Sequence, residues 1–83
     1  MMRRVHHTQE KRKQNIKRTL FIVRQLTKNG QEEVEVKKIV GMCAFNYGFS
    51  EAAVKDYLAV LADMGAIEII GDKVRLLYKE EEI

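Results

Sequence analysis

The sequence predicts a small α+β domain that consists of three helices, a short strand and a C-terminal two-stranded β-hairpin. Apolar residues recur at helical spacing in three separate segments, as expected for helices that are buried along one face. After Gly65 the apolar residues instead alternate with polar ones, which is the period of a strand. With 83 residues the chain can build one hydrophobic core, so we expect a single folded domain.

The first helix is predicted from an apolar stripe that consists of Ile16, Leu20, Val23 and Leu26. Gly30 is expected to end this helix, because glycine readily adopts the left-handed conformation found at helix ends. Thr8 is suited to cap a helix, so we expect the helix to begin near Gln9. Residues 1–14 lack an apolar face and are predicted to form a basic arm, which is either a cationic extension of the first helix or a segment that is disordered when alone.

Two shorter helices follow, separated by a tight turn. Residues 34–36 alternate between apolar and charged, which indicates a short strand before the second helix. The second helix carries the stripe Val36, Ile39, Val40 and Cys43, and it ends at the turn formed by residues 46–48. Ser50 offers an oxygen that can cap the third helix, whose buried stripe consists of Val54, Tyr57, Leu58 and Leu61.

The last two elements are predicted to form a hairpin. Ile67 and Ile69 alternate with Glu68, and in the second segment Val74, Leu76 and Tyr78 alternate with Arg75 and Leu77. Gly71-Asp72 is suited to a two-residue loop between antiparallel strands. We therefore place the folded domain at residues 15–79 and expect the acidic residues 80–83 to be a frayed tail.

Charge is distributed unevenly along the chain. Residues 1–18 carry seven basic side chains and one acidic one, a net charge of +6, whereas the remaining 65 residues have a net charge of −3. Such a cationic segment suits a polyanionic partner.

The order helix, strand, helix, turn, helix, hairpin over residues 15–78 resembles the winged helix-turn-helix DNA-binding superfamily. The most specific portion of the resemblance is FSEAAVKDYL, residues 49–58, followed by LADMGAI, residues 61–67. The small, proline-free, charge-rich chain is similar to archaeal and archaeal-virus members. The resemblance implies that residues 51–64 form the recognition helix, 37–47 the supporting helix and 67–78 the wing. It also implies dimerisation through the first helix.

The predicted outer face of the third helix is poorly suited to reading bases. It consists of Glu51, Ala52, Lys55, Asp56, Ala59 and Asp63, which is one cation among three anions. Cations that suit phosphate contact lie instead in the arm, at the start of the second helix and on the wing. The candidate nucleic-acid-binding residues are Arg3, Arg4, Lys11, Arg12, Lys13, Lys17, Arg18, Lys37, Lys38, Tyr47, Ser50, Lys55, Lys73 and Arg75.

These residues predict a protein that binds the backbone of duplex DNA, as a small regulator of transcription or a chromatin-like factor. The alternative is a protein-interaction module, an accessory subunit of a replication, transcription or repair complex whose acidic third helix faces another protein. A third interpretation is that the basic residues only keep a small protein soluble.

Other classes of function find little support in the sequence. Ser50 is better explained as a helix cap than as a nucleophile, so we expect no enzyme activity. No cofactor is expected, and His6-His7 has no further ligand nearby at metal-binding spacing. Cys43 is predicted to be a small buried hydrophobe. No apolar run approaches the roughly 18 residues of a membrane span and no secretory signal is visible, so a cytoplasmic protein is expected, associated with the nucleoid if it binds DNA.

Four large apolar residues lie outside the helical stripes, namely Phe21, Met42, Phe45 and Phe49. They either fill the core or form an exposed apolar patch. If Met42 and Phe45 lie on the outer face of the second helix, the patch implies a homodimer or a partner protein.

Overall fold

The computed structural model describes residues 2–27 and 33–77, with side chains from residue 10 onward. The elements are α1 (Met2–Leu26), β1 (Glu33–Glu35), α2 (Val36–Tyr47), α3 (Glu51–Asp63), β2 (Ile67–Ile70) and β3 (Lys73–Leu76). The strands form an antiparallel sheet in the order β1-β3-β2. The prediction of three helices, a short strand and a hairpin is confirmed, and this layout is compatible with that of a winged helix.

The helix α1 differs most from expectation. It begins at Met2, so the predicted start near Gln9 is wrong, and Thr8 lies inside the helix. The helix crosses the predicted arm boundary at residue 14 without interruption, which residues of good helix propensity permit. Arg12, within the arm, and Asn15, directly after it, contact α3, so this part of the chain does not project freely. The predicted stop at Gly30 lies outside the described residues.

The other boundaries agree with the predictions to within a residue or two. The short strand spans Glu33–Glu35 and is shifted by one residue from the predicted 34–36. It ends before Val36, which already belongs to α2. The Ser50 hydroxyl accepts a 3.1 Å hydrogen bond from the Ala53 N–H and caps α3, as predicted. The helix α3 ends at Asp63, one residue before the predicted end. Gly71-Asp72 forms the hairpin turn, with Gly71 at φ 63°. Tyr78 and the predicted tail lie outside the described residues.

The core lies between the three helices and one face of the sheet. Its members include Leu20, Ile22, Val23, Val34, Ile39, Cys43, Val54, Leu58, Leu61, Ile67 and Val74. The predicted stripes supply most of this set, with Ile16, Leu26, Val36 and Val40 packed at its margin. Thr19 and Ile22 are buried although the predicted stripe does not contain them. Thr19 satisfies its hydroxyl by donating to the backbone oxygen of Asn15 at 2.9 Å.

The four apolar residues outside the stripes have different surroundings. Met42 packs against the core, and Phe49 is half-buried. Phe21 is half exposed, and Phe45 is 87% exposed. Core filling therefore applies to Met42 and Phe49, and the exposed alternative applies to Phe45. None of the helices in the described residues has the length and apolar character needed to cross a membrane.

Candidate nucleic-acid interface

Three exposed lysines lie close together at the start of α2. Lys37 and Lys38 belong to its first turn, and Lys73 begins β3. The hairpin turn reaches this point, because the Asp72 carbonyl accepts a 2.8 Å hydrogen bond from the Val36 N–H. Strand pairing also places Lys73 opposite Glu35. The structure thus brings the predicted second-helix and wing cations into one cluster, the α2/wing lysines.

The electrostatics of this cluster favour an anion modestly. Glu35, at the N-cap of α2, makes no side-chain hydrogen bond to the first turn, so no side chain there caps the helix amides. Exposed N–H groups and the helix dipole both attract phosphate. Glu35 and Asp72 are exposed at the same place and offset part of the charge of the three lysines. Within the described residues, no side chain of these lysines forms an ion pair or hydrogen bond.

A second set of exposed cations lies on α1. Lys11, Lys13 and Lys17 are all exposed, and none of their side chains has a hydrogen-bonding or ion-pair partner in the part of the chain that the structure describes. Lys13 and Lys17 lie one helical turn apart on the same side of α1. These three lysines, the α1 lysines, stand on one continuous helix.

Arg12 is held by contacts within the protein. Its Nη1 donates to Asp56 Oδ2 at 2.7 Å, and its guanidinium carbon lies 5.9 Å from the centre of the Tyr57 ring. One turn further along α1, Asn15 Nδ2 donates to the Tyr57 hydroxyl at 3.2 Å. These contacts attach the basic half of α1 to α3.

Arg18 and Tyr47 belong to a neighbouring aromatic cluster. The Arg18 guanidinium carbon lies 5.6 Å from the centre of the Tyr47 ring, a cation–π geometry. The Tyr47 and Phe49 rings are 5.2 Å apart, and the Phe49 and Tyr57 rings meet edge to face at 5.5 Å. All three rings are half-buried. Tyr47 therefore has a packing role, as Ser50 has a capping role.

Arg75, the predicted arginine of the wing, lies between two carboxylates on the outer face of the sheet. Its guanidinium is 3.1 Å from Glu33 Oε2 on β1 and 3.7 Å from Glu68 Oε1 on β2. The strand register places all three residues in one row across the sheet. Arg75 thus joins the three strands, and much of its charge is neutralised within the protein.

The outer face of α3 is exposed as predicted, but its charges are largely compensated. Glu51 forms an ion pair with Lys55 at 3.1 Å, and Asp56 is paired with Arg12. Only Asp63 remains without an ion-pair partner among the acidic residues of α3, as far as the described residues show. The N-terminal half of α3 is therefore close to neutral, and its one cation, Lys55, is already engaged.

The fourteen predicted residues thus fall into distinct groups. The side chains of Arg3 and Arg4 lie outside the described part of the structure. Six lysines are exposed and unpaired in the described residues, namely Lys11, Lys13, Lys17, Lys37, Lys38 and Lys73. The other six make contacts within the protein, namely Arg12, Arg18, Tyr47, Ser50, Lys55 and Arg75.

The contact between α1 and α3 was not predicted from the sequence. Its signal was present, because Arg12 lies one turn before Ile16 and in phase with the stripe that continues to Val23. Extending the apolar stripe toward the N-terminus would have predicted that Arg12 and Asn15 lie on the side of α1 that faces the rest of the domain.

The described residues also show how the only cysteine is held. Cys43 is fully buried, and burial raises the pKa of its thiol, while a hydrogen bond with Thr19 acts in the opposite direction. A neutral buried thiol is a weak nucleophile. Among the described side chains, no group of three or more potential metal ligands lies together.

The described residues form a small α+β domain with three helices and an antiparallel sheet, on which two sets of exposed lysines have no partner among those residues. No protein-family model, characterised protein or solved structure matches the chain.

Proposed function

We propose that this chain is a winged-helix protein that binds the sugar-phosphate backbone of duplex DNA, as a small regulator or chromatin-like factor. The observation that carries the proposal is the separation of the cations into two classes. Six lysines are exposed and unpaired within the described residues, while Arg12, Arg18 and Arg75 are occupied by contacts within the fold. Unpaired lysines are available as point charges for phosphate.

Backbone contact is favoured over base reading because of the side chains on α3. Base readers are chiefly Arg, Lys, Asn and Gln. The outer face of α3 offers only Lys55, whose charge is paired with Glu51. The α1 lysines and the α2/wing lysines suit phosphate contacts, which position a protein on DNA without distinguishing sequences. We therefore expect the protein to bind duplex DNA with low sequence specificity.

The salt dependence of affinity for a short mixed-sequence duplex tests this proposal. If the six lysines each neutralise one phosphate, the slope of log K against log salt is about −5.4. Replacing the three α2/wing lysines by glutamine should make the slope less negative by about 2.7. Replacing the three α1 lysines should have a similar effect. Fluorescence anisotropy between about 50 and 200 mM salt measures both.

A matched pair of single variants separates phosphate contact from general charge. Lys38→Gln and Lys55→Gln remove the same charge from exposed positions, but Lys55 is paired with Glu51. We expect Lys38→Gln to reduce the slope by about 0.9 and Lys55→Gln to change it much less. Equal effects of the two substitutions, or a wild-type slope near zero, would contradict the proposed interface.

A protein-interaction module is the second candidate, and the surface of α3 favours it. Ala52, Ala59 and Asp63 are exposed on the same helix, which gives a smooth face with little base-reading capacity. This candidate predicts no measurable affinity of the full chain for duplex DNA at physiological salt and capture of a protein partner that survives nuclease treatment. Tight, salt-dependent DNA binding by the purified chain would decide against it.

A further inference from the structure

The outer face of α2 carries one large side chain in line with a lysine of the α2/wing lysines. Phe45 is 87% exposed, the largest exposed fraction among the large apolar side chains described. Lys38 precedes it by seven residues, about two helical turns, so the two side chains lie on the same side of the helix. Lys37 is exposed on the flank of this face. A surface that contacts Lys38 therefore also lies close to Phe45.

The ring of Phe45 stands alone on this surface. Its exposed neighbours toward the lysines are Gly41, which has no side chain, and Ala44, which has only a methyl group. A Cβ atom added to Gly41 would meet no atom within 4 Å, so the surface there is open. The Asn46 Nδ2 group donates a 2.8 Å hydrogen bond to the backbone oxygen of Met42, so this amide is engaged within the helix. The C-terminal half of α2 thus presents an isolated apolar ring, which has the shape of a wedge.

The neighbouring lysines indicate what covers this ring. Lys37 and Lys38 are exposed without a side-chain partner in the described residues, and the hairpin turn brings Lys73 beside them. Duplex DNA combines the two matching chemistries, because phosphates line its grooves and the stacked bases between them have apolar faces. An apolar protein surface would cover the ring but leave three cations without a counter-charge. Charge complementarity therefore favours duplex DNA.

We infer that Phe45 is a wedge that bends DNA, an inference that rests on the proposed binding to duplex DNA. With Lys38 on a phosphate, the ring lies about 10 Å further along the helix axis, from a rise of about 1.5 Å per residue. The minor groove is about 6 Å wide, so it admits a single ring while the helix remains outside. The small side chains between Lys38 and Phe45 let the helix backbone approach the sugar-phosphate ridge closely. Apolar side chains that enter in this way partly unstack one base step and kink the duplex by roughly 20° to 90°.

The wedge adds a source of selectivity to the backbone contacts. Pyrimidine–purine steps such as TA are flexible and easily kinked, so they cost less to open than other steps. The protein should therefore prefer duplexes that contain a deformable step, although no side chain of this face reads the bases.

Fluorescence energy transfer between dyes at the two ends of a duplex of about 20 base pairs, with one central TA step, tests the wedge. Saturation with the full chain should raise the energy transfer, because a kink brings the two ends closer together. Phe45→Ala should abolish this rise at saturation and weaken binding about tenfold, since the stacking of the ring on a base is lost. The slope of log K against log salt should stay the same, because no phosphate contact is removed.

Matched variants separate the wedge from other effects. Phe45→Leu should keep the bend, because leucine also serves as an apolar wedge. Leu77→Ala should change neither the bend nor the affinity. Leu77 is 48% exposed, but it follows the end of β3 that is remote from Lys73, about 13 Å away. Circular dichroism should show an unchanged fold for Phe45→Ala, since most of the ring is in solvent.

A duplex with one central mismatch gives a second measurement. The mismatched step costs less to unstack, so the wild-type chain should bind this duplex at least about threefold more tightly than the fully paired one. Phe45→Ala should remove the preference.

Failure of the wedge and failure of the proposed function give different results. A wild-type chain that does not bind duplex DNA in a salt-dependent manner overturns both. Salt-dependent binding without a rise in energy transfer, or a bend that survives in Phe45→Ala, overturns the wedge and leaves the backbone contacts in place. A salt slope that becomes less negative in Phe45→Ala also overturns the wedge, because the ring would then only hold the lysines on the phosphates.

Discussion

The attachment of α1 to α3 through Arg12 should make a measurable contribution to stability. About half of each side chain in the Arg12–Asp56 pair is exposed, 49% and 53%, so solvent screening limits the pair to about 0.5 kcal/mol. The stacking of Arg12 on Tyr57 adds about 0.5 kcal/mol. Arg12→Gln should therefore lower the free energy of unfolding by about 1 kcal/mol. In a domain of this size the melting temperature would fall by roughly 4 to 8 °C.

A double-mutant cycle isolates the ion pair from the stacking. Arg12→Gln, Asp56→Asn and the double variant should give a coupling energy of about 0.5 kcal/mol at low salt, which shrinks as salt is added. Both substitutions keep similar helix propensity, so the cycle reports the contact itself. Urea unfolding monitored by circular dichroism supplies the free energies. Lys11→Gln is the control, because it removes the same charge beside Arg12 at an exposed position without an ion-pair partner in the described residues.

A coupling energy below about 0.2 kcal/mol at low salt would refute the reasoning, since that is the lower end for exposed pairs that contribute at all. It would mean that the basic half of α1 is not held on α3 by this pair. The interpretation of α3 would change too. Asp56 would then be available to repel phosphate, and the N-terminal half of α3 would no longer be close to neutral.

Two further predictions concern single side chains. Cys43 should react with a thiol reagent only when the protein unfolds, and its raised pKa gives a sign for the pH dependence. The unfolded thiol, with an ordinary pKa of 9.0, ionises before the folded one, so stabilisation present below pH 9.0 should be lost as the pH rises further. Urea unfolding from pH 7 to 10, with Cys43→Ala as the reference, measures this, and a rise of stability in alkali would contradict it. Ser50→Ala should lower the free energy of unfolding by about 1 kcal/mol through loss of the cap, whereas Ser50→Asp should largely preserve it. Equal destabilisation by the two substitutions would show that the cap does not stabilise α3.

Local patterns were enough to predict most of the elements. The stripe of α3 and its Ser50 cap were predicted correctly because helix periodicity and capping depend on residues within a few positions of one another. The Gly71-Asp72 turn was also predicted correctly, because a tight hairpin turn depends on the two residues that form it. The start of α1 was missed because its first residues lack an apolar stripe, and apolar periodicity cannot indicate a helix that is polar on every side.

From the sequence, the candidate site could be predicted only as a set of basic residues, without their contacts. Arg12 and Asp56 are 44 residues apart in the sequence, and Arg75 and Glu33 are 42 apart. Sequence spacing does not reveal such pairs, because they exist only when the helices and strands have packed. The candidate arginines and lysines looked equivalent in the sequence, yet the fold engages those arginines whose side chains are described and leaves six of the lysines without a partner in the described residues.

The sequence by itself determined the presence and order of the helices and strands and most of the residues that form the core, because each depends on a short-range period of apolar residues. Only the tertiary structure decided which charges remain available. It paired Asp56 with Arg12, placed Arg75 between two carboxylates and joined the turn of the hairpin to the start of α2. The physical reason is that burial follows a local sequence pattern. Whether a charge is neutralised depends instead on partners from distant segments, which come near only when the chain folds.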